Sequence, residues 1–298
     1  MPEQLKVGFI GLGLMGKPMA RNILRNNFPL VIHNRSQDAV NELVAEGARK
    51  ASSPAEVAEQ VDIVLTCLPD SPDVQEVSIG KNGIIEGTRP GMVYIDHSTI
   101  KPGTARLIYE VFTQKDVHFL DAPVSGGDIG ARDATLTIMV GGMAEPLAKV
   151  MPVLNAVGRF ITHVGGPGSG QVAKAANQIM VAAQMVAIGE LMIFAKKAGA
   201  DPKKVVAAIR PGAAQCWALD VKSEKLLNGI RTPGFKAYMQ AKDLAIIVET
   251  AREFKVPLPS LAVDAQLYNA MLAMGMSDLD NSAIIGVIER LAGIHLNE

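Results

Sequence analysis

The first half of the chain alternates short apolar runs with stretches of helical periodicity. Short apolar runs bounded by turn-forming residues predict strands, whereas apolar positions three and four residues apart predict helices. This alternation predicts a largely parallel sheet with helices on both faces, which is a doubly wound α/β domain. The predicted strands are 5–10, 30–33, 62–67, 92–96, 118–121 and 135–141.

The pattern changes near residue 165, where the glycine-rich segment 165–170 precedes a region with almost no strand-like alternation. Residues 171–200 carry a continuous helical pattern of about 30 residues, or roughly 45 Å at the usual rise. Further breaks fall at Asp201-Pro202, Pro233-Gly234, Pro257 and Pro259. The sequence therefore predicts a Rossmann domain over 1–164 and an all-helical substrate and oligomerisation domain, built on one long helix, over 165–298.

The long predicted helix is apolar on several faces, which favours burial against a second subunit in a homodimer or homotetramer. Gln184 and Glu190 interrupt its apolar run, and Lys196-Lys197 closes it. It therefore falls short of an uncharged span of about 20 residues, and we interpret it as a buried helix rather than a membrane span.

The 298 residues are 48% apolar and 20% charged, with a net charge of −1. This balance gives no support for a nucleic-acid or membrane-surface partner. The two cysteines lie far apart, and no C-x-x-C pair or His/Cys cluster predicts a metal site. The first predicted strand begins within a few residues of Met1, which leaves no room for a signal peptide, and we expect a cytoplasmic protein.

A glycine fingerprint follows the first predicted strand. Gly11 permits a tight turn, Gly13 lets the backbone approach a pyrophosphate, and Gly16 lets the next helix pack closely on the strand. The N-terminus of that helix attracts phosphate charge. Because strand, glycines, helix and second strand occur in this order, the segment predicts dinucleotide binding. The predicted contacts are Gly11, Leu12, Gly13, Leu14, Met15 and Gly16.

The end of the second predicted strand indicates which dinucleotide binds. An acidic residue there would bind the ribose 2′-hydroxyl of NAD, whereas an arginine accommodates the 2′-phosphate of NADP. The chain has Asn34-Arg35-Ser36, with no carboxylate before Asp38. Arg35 offers a planar charged fork, and Asn34 and Ser36 add neutral hydrogen-bonding groups. We expect NADPH in preference to NADH; the alternative is that Arg35 is a solvated loop residue.

Two further predicted strands end in loops at the same edge of the sheet as the fingerprint. Leu68 and Pro69 follow one of them, and Thr99 follows the other. We expect these three residues near the nicotinamide half of the cofactor. For Leu68 and Pro69, a plain strand terminator is an equally good interpretation.

Three groups of residues could carry chemistry. Asp121-Ala-Pro-Val-Ser-Gly-Gly127 presents the Ser125 hydroxyl and the backbone N–H groups of Gly126 and Gly127, a concave trap suited to a carboxylate. Lys174, Asn177 and Gln178 share one face of the long helix, where polar groups on an apolar surface are costly unless they are used. Lys242-Asp243-Leu244 lies within a later helical stretch.

Together these motifs resemble the β-hydroxyacid dehydrogenase family along the full chain. The motifs that carry the resemblance are Gly11–Gly16, Asp121–Gly127, Gly168-Ser-Gly170 with Lys174 and Asn177, and Lys242-Asp243-Leu244. The resemblance implies that Lys174 is catalytic and that Asn177, with Gln178, binds substrate. It also implies that Ser125, Gly126 and Gly127 hold the substrate carboxylate and that Lys242 lies beside the cofactor.

The implied chemistry is hydride transfer between a nicotinamide and a carbonyl carbon. In the reducing direction, Lys174 would polarise the carbonyl oxygen and donate a proton, a role that favours a lysine pKa lowered toward about 7–8. For Lys174 the alternative is an exposed helix lysine, and for Lys242 it is a residue without a role in the reaction.

The Lys-x-x-Asn-Gln form looks most like the reductases of 2-hydroxy-3-oxopropionate (tartronate semialdehyde) in that family. Ala176 replaces the histidine of decarboxylating 6-phosphogluconate dehydrogenases, which disfavours that activity. Glyoxylate or succinic semialdehyde reductase and 3-hydroxyisobutyrate dehydrogenase remain alternatives, since the segment 211–217 departs from the expected glycine- and serine-rich form. A non-catalytic NADPH-binding module is the alternative of a different class.

Overall fold

The computed structural model describes residues 5–298. Its strands are β1 Val7–Ile10, β2 Leu30–His33, β3 Arg49–Lys50, β4 Ile63–Thr66, β5 Val93–Asp96, β6 His118–Asp121, β7 Val124–Ser125, β8 Leu136–Gly141 and β9 Gly158–Gly165. The helices up to the long one are α1 Gly16–Arg25, α2 Gln37–Ala45, α3 Pro54–Glu59, α4 Ser71–Ile79, α5 Pro102–Thr113, α6 Gly127–Arg132, α7 Ala144–Leu154 and α8 Ser169–Lys197. The helices after it are α9 Pro202–Ile209, α10 Trp217–Val221, α11 Ser223–Leu227, α12 Ala237–Phe254, α13 Pro259–Ala273 and α14 Ile285–Ala292, and short 3-10 helices lie at Ile84–Glu86 and Asn281–Ile284.

The sheet has the order β3-β2-β1-β4-β5-β6-β8-β7, and β9 pairs with β8. The neighbours from β3 to β6 are all parallel, whereas β8 is antiparallel to β6. The first six strands thus have the 3-2-1-4-5-6 order of dinucleotide-binding folds, in which ligands bind beyond the carboxyl ends of the strands. The predicted doubly wound domain, followed by a helical one, is confirmed.

The central strands β1, β4 and β5 are buried along their whole length because helices cover both faces of the sheet. Alternate residues enter two separate cores. One core contains Phe9, Leu65 and Ile95, and the other contains Ile10, Val64 and Tyr94. Burial on both faces makes these strands continuous apolar runs, which is the signal that predicts them.

All six predicted strands are present, and their ends shift by at most two residues. The other three strands of the structure are not predicted from the sequence. β3 and β7 contain two residues each, too few for a periodic signal. β9 runs along the edge of the sheet with most of its residues partly or fully exposed, and Phe160 is 60% exposed. An exposed edge strand shows neither an apolar run nor a clear alternation.

The chain divides into two compact units, one ending at Lys174 and the other spanning Ala175–Glu298. The sequence instead suggests a boundary between residues 164 and 165. The first turns of α8 belong to the first unit because their backbone and side chains hydrogen-bond to its strand ends. Gln171, for example, donates from Nε2 to the Ser98 carbonyl oxygen over 2.8 Å.

The long helix α8 contains 29 residues and ends at Lys197, slightly before the predicted residue 200. Gly199 follows with φ of +82°, a conformation that glycine adopts at helix C-termini. Asp201 then accepts a hydrogen bond from the Lys203 N–H over 2.9 Å, and Pro202 occupies the first turn of α9. These local groups explain why the helical pattern breaks here.

The second unit contains a long apolar helix and several exposed apolar side chains. By length and composition, α8 could cross a membrane, and 50% of its most apolar window is buried within the structure. The core helix of a globular protein passes the same test. Several large apolar side chains of this unit are 60–76% exposed, namely Met180, Phe194, Val263 and Leu291. Association of subunits through this unit stays a prediction.

A buried ion pair holds two segments of the second unit together. Lys222 Nζ lies 2.7 Å from Asp280 Oδ1, and the two side chains are only 6% and 2% exposed. The Asp280 carboxylate also accepts hydrogen bonds from Gly234 N over 2.8 Å and from the Ser282 hydroxyl over 2.5 Å. Burial opposes its ionisation, but the Lys222 ammonium and these donors outweigh burial and hold the Asp280 pKa below its usual range.

Lys222→Met is expected to lower the free energy of unfolding by about 3–5 kcal/mol, because it leaves the Asp280 charge buried without its counter-ion. Chemical denaturation of the full chain measures this loss. Lys236→Met is the matched control, since Lys236 pairs with Asp278 at the same 2.7 Å but with exposed fractions of 38% and 80%. That exposed pair is expected to contribute about 0–1 kcal/mol. Equal effects of the two substitutions would contradict the prediction.

Candidate active site

The glycine fingerprint has three glycines with three different surroundings. Gly11 has φ of +94°, and a Cβ there would clash with the Cys67 carbonyl oxygen. A Cβ on Gly16 would clash with the Gly11 carbonyl oxygen, so the start of α1 lies close against the turn. Gly13 has no heavy atom within 4 Å of the position its Cβ would take. Open space in front of the Gly13 backbone fits the close approach of a dinucleotide pyrophosphate.

The loop after β2 contacts this turn through Asn34. Its Oδ1 accepts a hydrogen bond from Leu12 N over 2.9 Å, and its Nδ2 donates to the Ser36 carbonyl oxygen over 3.0 Å. Asn34 therefore orients the fingerprint as well as the neighbouring loop. The side chain of Arg35 is 85% exposed, and its Nη2 lies 3.5 Å from Oδ1 of Asp73 in α4. An exposed guanidinium in this position can turn toward an incoming phosphate.

The ends of β4 and β5 are joined by buried hydroxyl groups. Thr66 and Ser98 each donate a hydrogen bond to Asp96 Oδ1 over 2.6 Å. The Ser98 hydroxyl also accepts from Leu68 N over 2.8 Å, which fixes the start of the loop that continues to Pro69. Leu68 is partly buried and Pro69 is exposed. Thr99, one residue beyond Ser98, is also partly buried at this edge of the sheet.

His97 lies between these polar groups as a neutral side chain. It is 2% exposed, and burial lowers its pKa to about 4. A neutral ring can donate from Nδ1 to the Ala122 carbonyl oxygen, and the two atoms are 2.7 Å apart. This contact connects the end of β5 to the segment that follows β6.

Lys174 lies next to the predicted carboxylate trap. Its side chain is 7% exposed, and Nζ donates a hydrogen bond to the Val124 carbonyl oxygen over 2.9 Å. Ser125 follows Val124 directly, and Gly126 and Gly127 have φ of +133° and +64°. These two glycines form the tight turn at the start of α6, and successive backbone N–H groups in a turn can form an anion-binding concavity. The first unit therefore brings the ammonium and the predicted anion-binding turn together.

The second unit brings together the other predicted site residues. Asn177 donates from Nδ2 to Gln178 Oε1 over 2.9 Å, and Gln178 donates from Nε2 to Asp243 Oδ2 over 2.6 Å. Lys242 Nζ lies 2.8 Å from Asp243 Oδ1. Asp243, which is 2% exposed, thus joins the two amides to the lysine. The sequence contains Asp243 within a motif but assigns no role to it, because only the fold shows its contact with Gln178.

The arrangement in the first unit suits acid–base chemistry beside a bound carboxylate. A lysine ammonium offers three N–H donors, and the contact to Val124 fixes the direction of one of them. Among residues 5–298, no group of three or more His, Cys, Asp or Glu side chains is placed to hold a metal ion. The roles predicted for these residues, namely a proton donor, an anion trap and a dinucleotide-binding turn, stay predictions at this point.

Comparison with known proteins identifies the family. Residues 6–166 match the NAD binding domain of 6-phosphogluconate dehydrogenase, and residues 168–288 match the NAD-binding region of NADP-dependent 3-hydroxyisobutyrate dehydrogenase. The chain is 40% identical over 288 residues to 2-hydroxy-3-oxopropionate reductase of Escherichia coli, covering 97% of this chain and 98% of that one.

Two solved structures support the same family. The 3-hydroxyisobutyrate dehydrogenase of Mycobacterium tuberculosis with L-serine has a TM-score of 0.88 and 30% identity, with 96% of this chain and 99% of that one covered. Psf3 in complex with NADP+ and 2-OPP has a TM-score of 0.86 and 25% identity, with 95% and 99% covered. The chain belongs to the β-hydroxyacid dehydrogenase family, related to 3-hydroxyisobutyrate dehydrogenase, and is an NAD(P)-dependent oxidoreductase acting on the hydroxyl groups of hydroxy acids.

Proposed function

We propose that this protein is an NADPH-dependent reductase that converts 2-hydroxy-3-oxopropionate, a small aldehyde with a carboxylate, to glycerate. One observation carries the proposal: Lys174 Nζ lies 2.9 Å from the Val124 carbonyl oxygen, immediately before the turn Ser125-Gly126-Gly127. A proton donor therefore lies beside a turn suited to a carboxylate. The 40% identity to the 2-hydroxy-3-oxopropionate reductase of Escherichia coli supports this substrate.

In the first unit, one group of residues would bind the substrate carboxylate and Lys174 would donate the proton. The Ser125 hydroxyl and the N–H groups of Gly126 and Gly127 hold the substrate carboxylate. Lys174 polarises the carbonyl oxygen, and one N–H proton passes to that oxygen as the carbonyl becomes a hydroxyl group. When bound, NADPH supplies the hydride that the carbonyl carbon accepts. Asn177 and Gln178 belong to the second unit, and their part in substrate binding stays a prediction from the family resemblance.

The choice of NADPH depends on Arg35. Its guanidinium is exposed at the end of β2, where the 2′-phosphate of NADP binds in dinucleotide-binding folds. Arginine presents a planar fork that matches phosphate geometry, and no carboxylate occupies residues 34–36 to bind a ribose hydroxyl instead. The NADP+ complex of Psf3 is consistent with this cofactor.

A second candidate substrate is 3-hydroxyisobutyrate, oxidised in the reverse direction. The specific observation in its favour is the 30% identity and TM-score of 0.88 to the Mycobacterium tuberculosis 3-hydroxyisobutyrate dehydrogenase. Glyoxylate and succinic semialdehyde have the same combination of a carboxylate and an aldehyde, and are also compatible with the Ser125–Gly127 turn.

A steady-state screen tests the proposal. NADPH or NADH consumption is measured with 2-hydroxy-3-oxopropionate, glyoxylate and succinic semialdehyde, and reduction of NADP+ or NAD+ is measured with 3-hydroxyisobutyrate. We expect the highest kcat/KM for 2-hydroxy-3-oxopropionate with NADPH. Propionaldehyde lacks the carboxylate, so the groups that would hold it stay unpaired. We expect its kcat/KM to be lower by a factor of at least roughly 100. No turnover of any carboxylate-bearing compound would instead support a non-catalytic NADPH-binding module.

A further inference from the structure

The Asp121 carboxylate lies against the start of α8, the helix that carries Lys174. Asp121 is the last residue of β6 and is fully buried. Its Oδ1 accepts a hydrogen bond from Gly168 N over 2.8 Å, and its Oδ2 accepts one from Gln171 N over 2.9 Å. One carboxylate thus binds two of the backbone N–H groups that a helix leaves without partners at its N-terminus.

Glycines make room for this carboxylate. A Cβ on Gly141, which pairs with Asp121 across β8 and β6, would lie 2.5 Å from Oδ1. A Cβ on Gly170 would lie 2.9 Å from Oδ2 and would also crowd the Asp121 and Met139 carbonyl oxygens. Contacts this short are not tolerated by real side chains. The close backbone packing of α8 on β6 and β8 requires glycine at both positions, and this packing also leaves space for the carboxylate.

Stability alone does not explain a carboxylate in this place. Burial is the main reason that the Asp121 pKa rises from 3.8 to about 6, with the neighbouring Asp96 adding to it, although the hydrogen bonds from Gly168 and Gln171 oppose the rise. Between these two pKa values the unfolded chain binds fewer protons than the folded one, so stability falls as pH rises. At neutral pH the ionised carboxylate therefore costs stability, which points to another reason for its presence.

The contacts of Asp121 and Lys174 connect the start of α8 at two points, to the end of β6 and to β7. Asp121 binds the N–H groups of Gly168 and Gln171, and Lys174 lies one helical turn beyond Gln171. Lys174 Nζ then returns to the Val124 carbonyl oxygen, three residues after Asp121 in the chain. Any shift of the start of α8 relative to the end of β6 would therefore move the ammonium relative to Ser125.

We propose that the Asp121 carboxylate is a positioning residue that fixes the start of α8 so that the Lys174 ammonium lies beside the Ser125–Gly127 turn. This inference rests on the proposed role of Lys174 as the proton donor. The carboxylate itself contacts backbone N–H groups, and it acts on the reaction only through the place that it gives to Lys174.

The proposal implies a dependence on pH. The charged and titratable groups around Asp121 include its register partner Asp96 on β5 and Lys174 on α8. Arg106 of α5 lies against Gly168. The other titratable groups on the neighbouring strands are Tyr94, neutral His97, His118, and His163 of β9, which contacts the Gly142 carbonyl oxygen. Protonation of Asp121 below about pH 6 replaces a charged acceptor of two N–H groups with a neutral one, which weakens both hydrogen bonds. We therefore expect kcat to fall as pH decreases through about 6.

Asp121→Asn tests the proposal because it keeps the shape and removes the charge. The amide retains one acceptor oxygen, but its NH₂ group faces an N–H donor. We expect kcat to fall about 10- to 100-fold, as for a small misplacement of a reacting group, with KM for NADPH within about twofold of wild type. The fall in kcat below pH 6 should be absent from the variant. Asp116→Asn, in the exposed turn before β6, is the matched control and should leave kcat and its pH profile unchanged.

Two readouts do not require turnover. In the wild-type protein, the amide NMR resonances of Gly168 and Gln171 should shift with a midpoint near pH 6, and these shifts should be lost in Asp121→Asn. A crystal structure of the variant should show Lys174 Nζ displaced from the Val124 carbonyl oxygen. If the wild-type protein reduces no aldehyde, the proposed function fails, and these two measurements still decide whether Asp121 positions Lys174.

Any of three results for Asp121→Asn would overturn the proposal: a wild-type kcat, a fall in kcat below pH 6 that persists, or a crystal structure in which Lys174 Nζ keeps its contact with the Val124 carbonyl oxygen. A kcat loss without any change in the pH profile would indicate a general structural defect and would also overturn it. If Asp121→Asn does not fold, the wild-type titration decides the question. Amide resonances that do not shift near pH 6, or a flat wild-type pH profile there, would then count against the proposal.

Discussion

Lys174→Ala is expected to lower kcat by about 10²- to 10⁴-fold, the range that a general acid contributes, while NADPH binding stays within about twofold of wild type. The side chain is nearly buried, and its Nζ lies beside the Ser125–Gly127 turn. Without it, the oxygen of the reduced carbonyl must take its proton from water. The measurements are kcat from NADPH consumption and the Kd of NADPH from its fluorescence.

Two further variants separate proton donation from charge and folding. Lys174→Arg keeps a positive charge, but a guanidinium does not lose its proton in proteins, so turnover should remain low. Lys204→Ala, at an exposed position of α9, should have wild-type kcat. Near-normal kcat for Lys174→Ala, in a protein with an unchanged unfolding midpoint, would refute the assignment.

Arg35→Asp is expected to weaken NADPH binding about 100-fold more than NADH binding. The substitution removes charged hydrogen bonds to the 2′-phosphate, each worth about 1.5–3 kcal/mol, and adds a negative charge that repels the phosphate. It also places a second carboxylate near Asp73, which lies 3.5 Å from Arg35 in the wild-type protein. NADH lacks the 2′-phosphate and should bind nearly as before. The measurement is the Kd of each cofactor.

The control for this prediction changes the charge by the same amount elsewhere. Lys115 lies in an exposed turn before β6, near the amino end of that strand. Lys115→Asp should therefore change the Kd of NADPH and the Kd of NADH by the same factor. Arg35→Gln should give an intermediate discrimination, because it removes the positive charge without adding a negative one. A ratio of NADPH to NADH affinity that is unchanged in Arg35→Asp would mean that Arg35 does not contact the 2′-phosphate.

Most of the fold can be predicted from the sequence because its signals are local. Strands buried on both faces, such as β1 and β4, are continuous apolar runs, and helix ends carry Asp201-Pro202 or a glycine with positive φ. The strand β9 escapes prediction because it pairs only with β8 and leaves most of its side chains exposed. Its pairing depends on the partner strand, which no pattern within its own residues reveals.

The candidate site likewise contains residues that the sequence predicts from local motifs and contacts that only the fold reveals. The glycine fingerprint and the Ser125–Gly127 turn are compact motifs that a sequence displays directly. The roles of Asp121 and Asp243 depend on partners 47 and 65 residues away, Gly168 and Gln178 respectively. The contact of Arg35 with Asp73 joins the loop after β2 to the first turn of α4 in the same manner. Only the order of the strands brings such residues together, so sequence spacing cannot predict these contacts.

A crystal structure of the protein with NADP+ and glycerate would test the proposed position of Lys174. We predict that Lys174 Nζ lies within hydrogen-bonding distance, about 2.6–3.2 Å, of the glycerate hydroxyl oxygen that is formed in the reaction. The glycerate carboxylate should bind Ser125 and the backbone of Gly126 and Gly127. A complex in which that oxygen lies beyond hydrogen-bonding distance of Lys174 Nζ, with another side chain bound to it, would contradict the role of Lys174 as the proton donor.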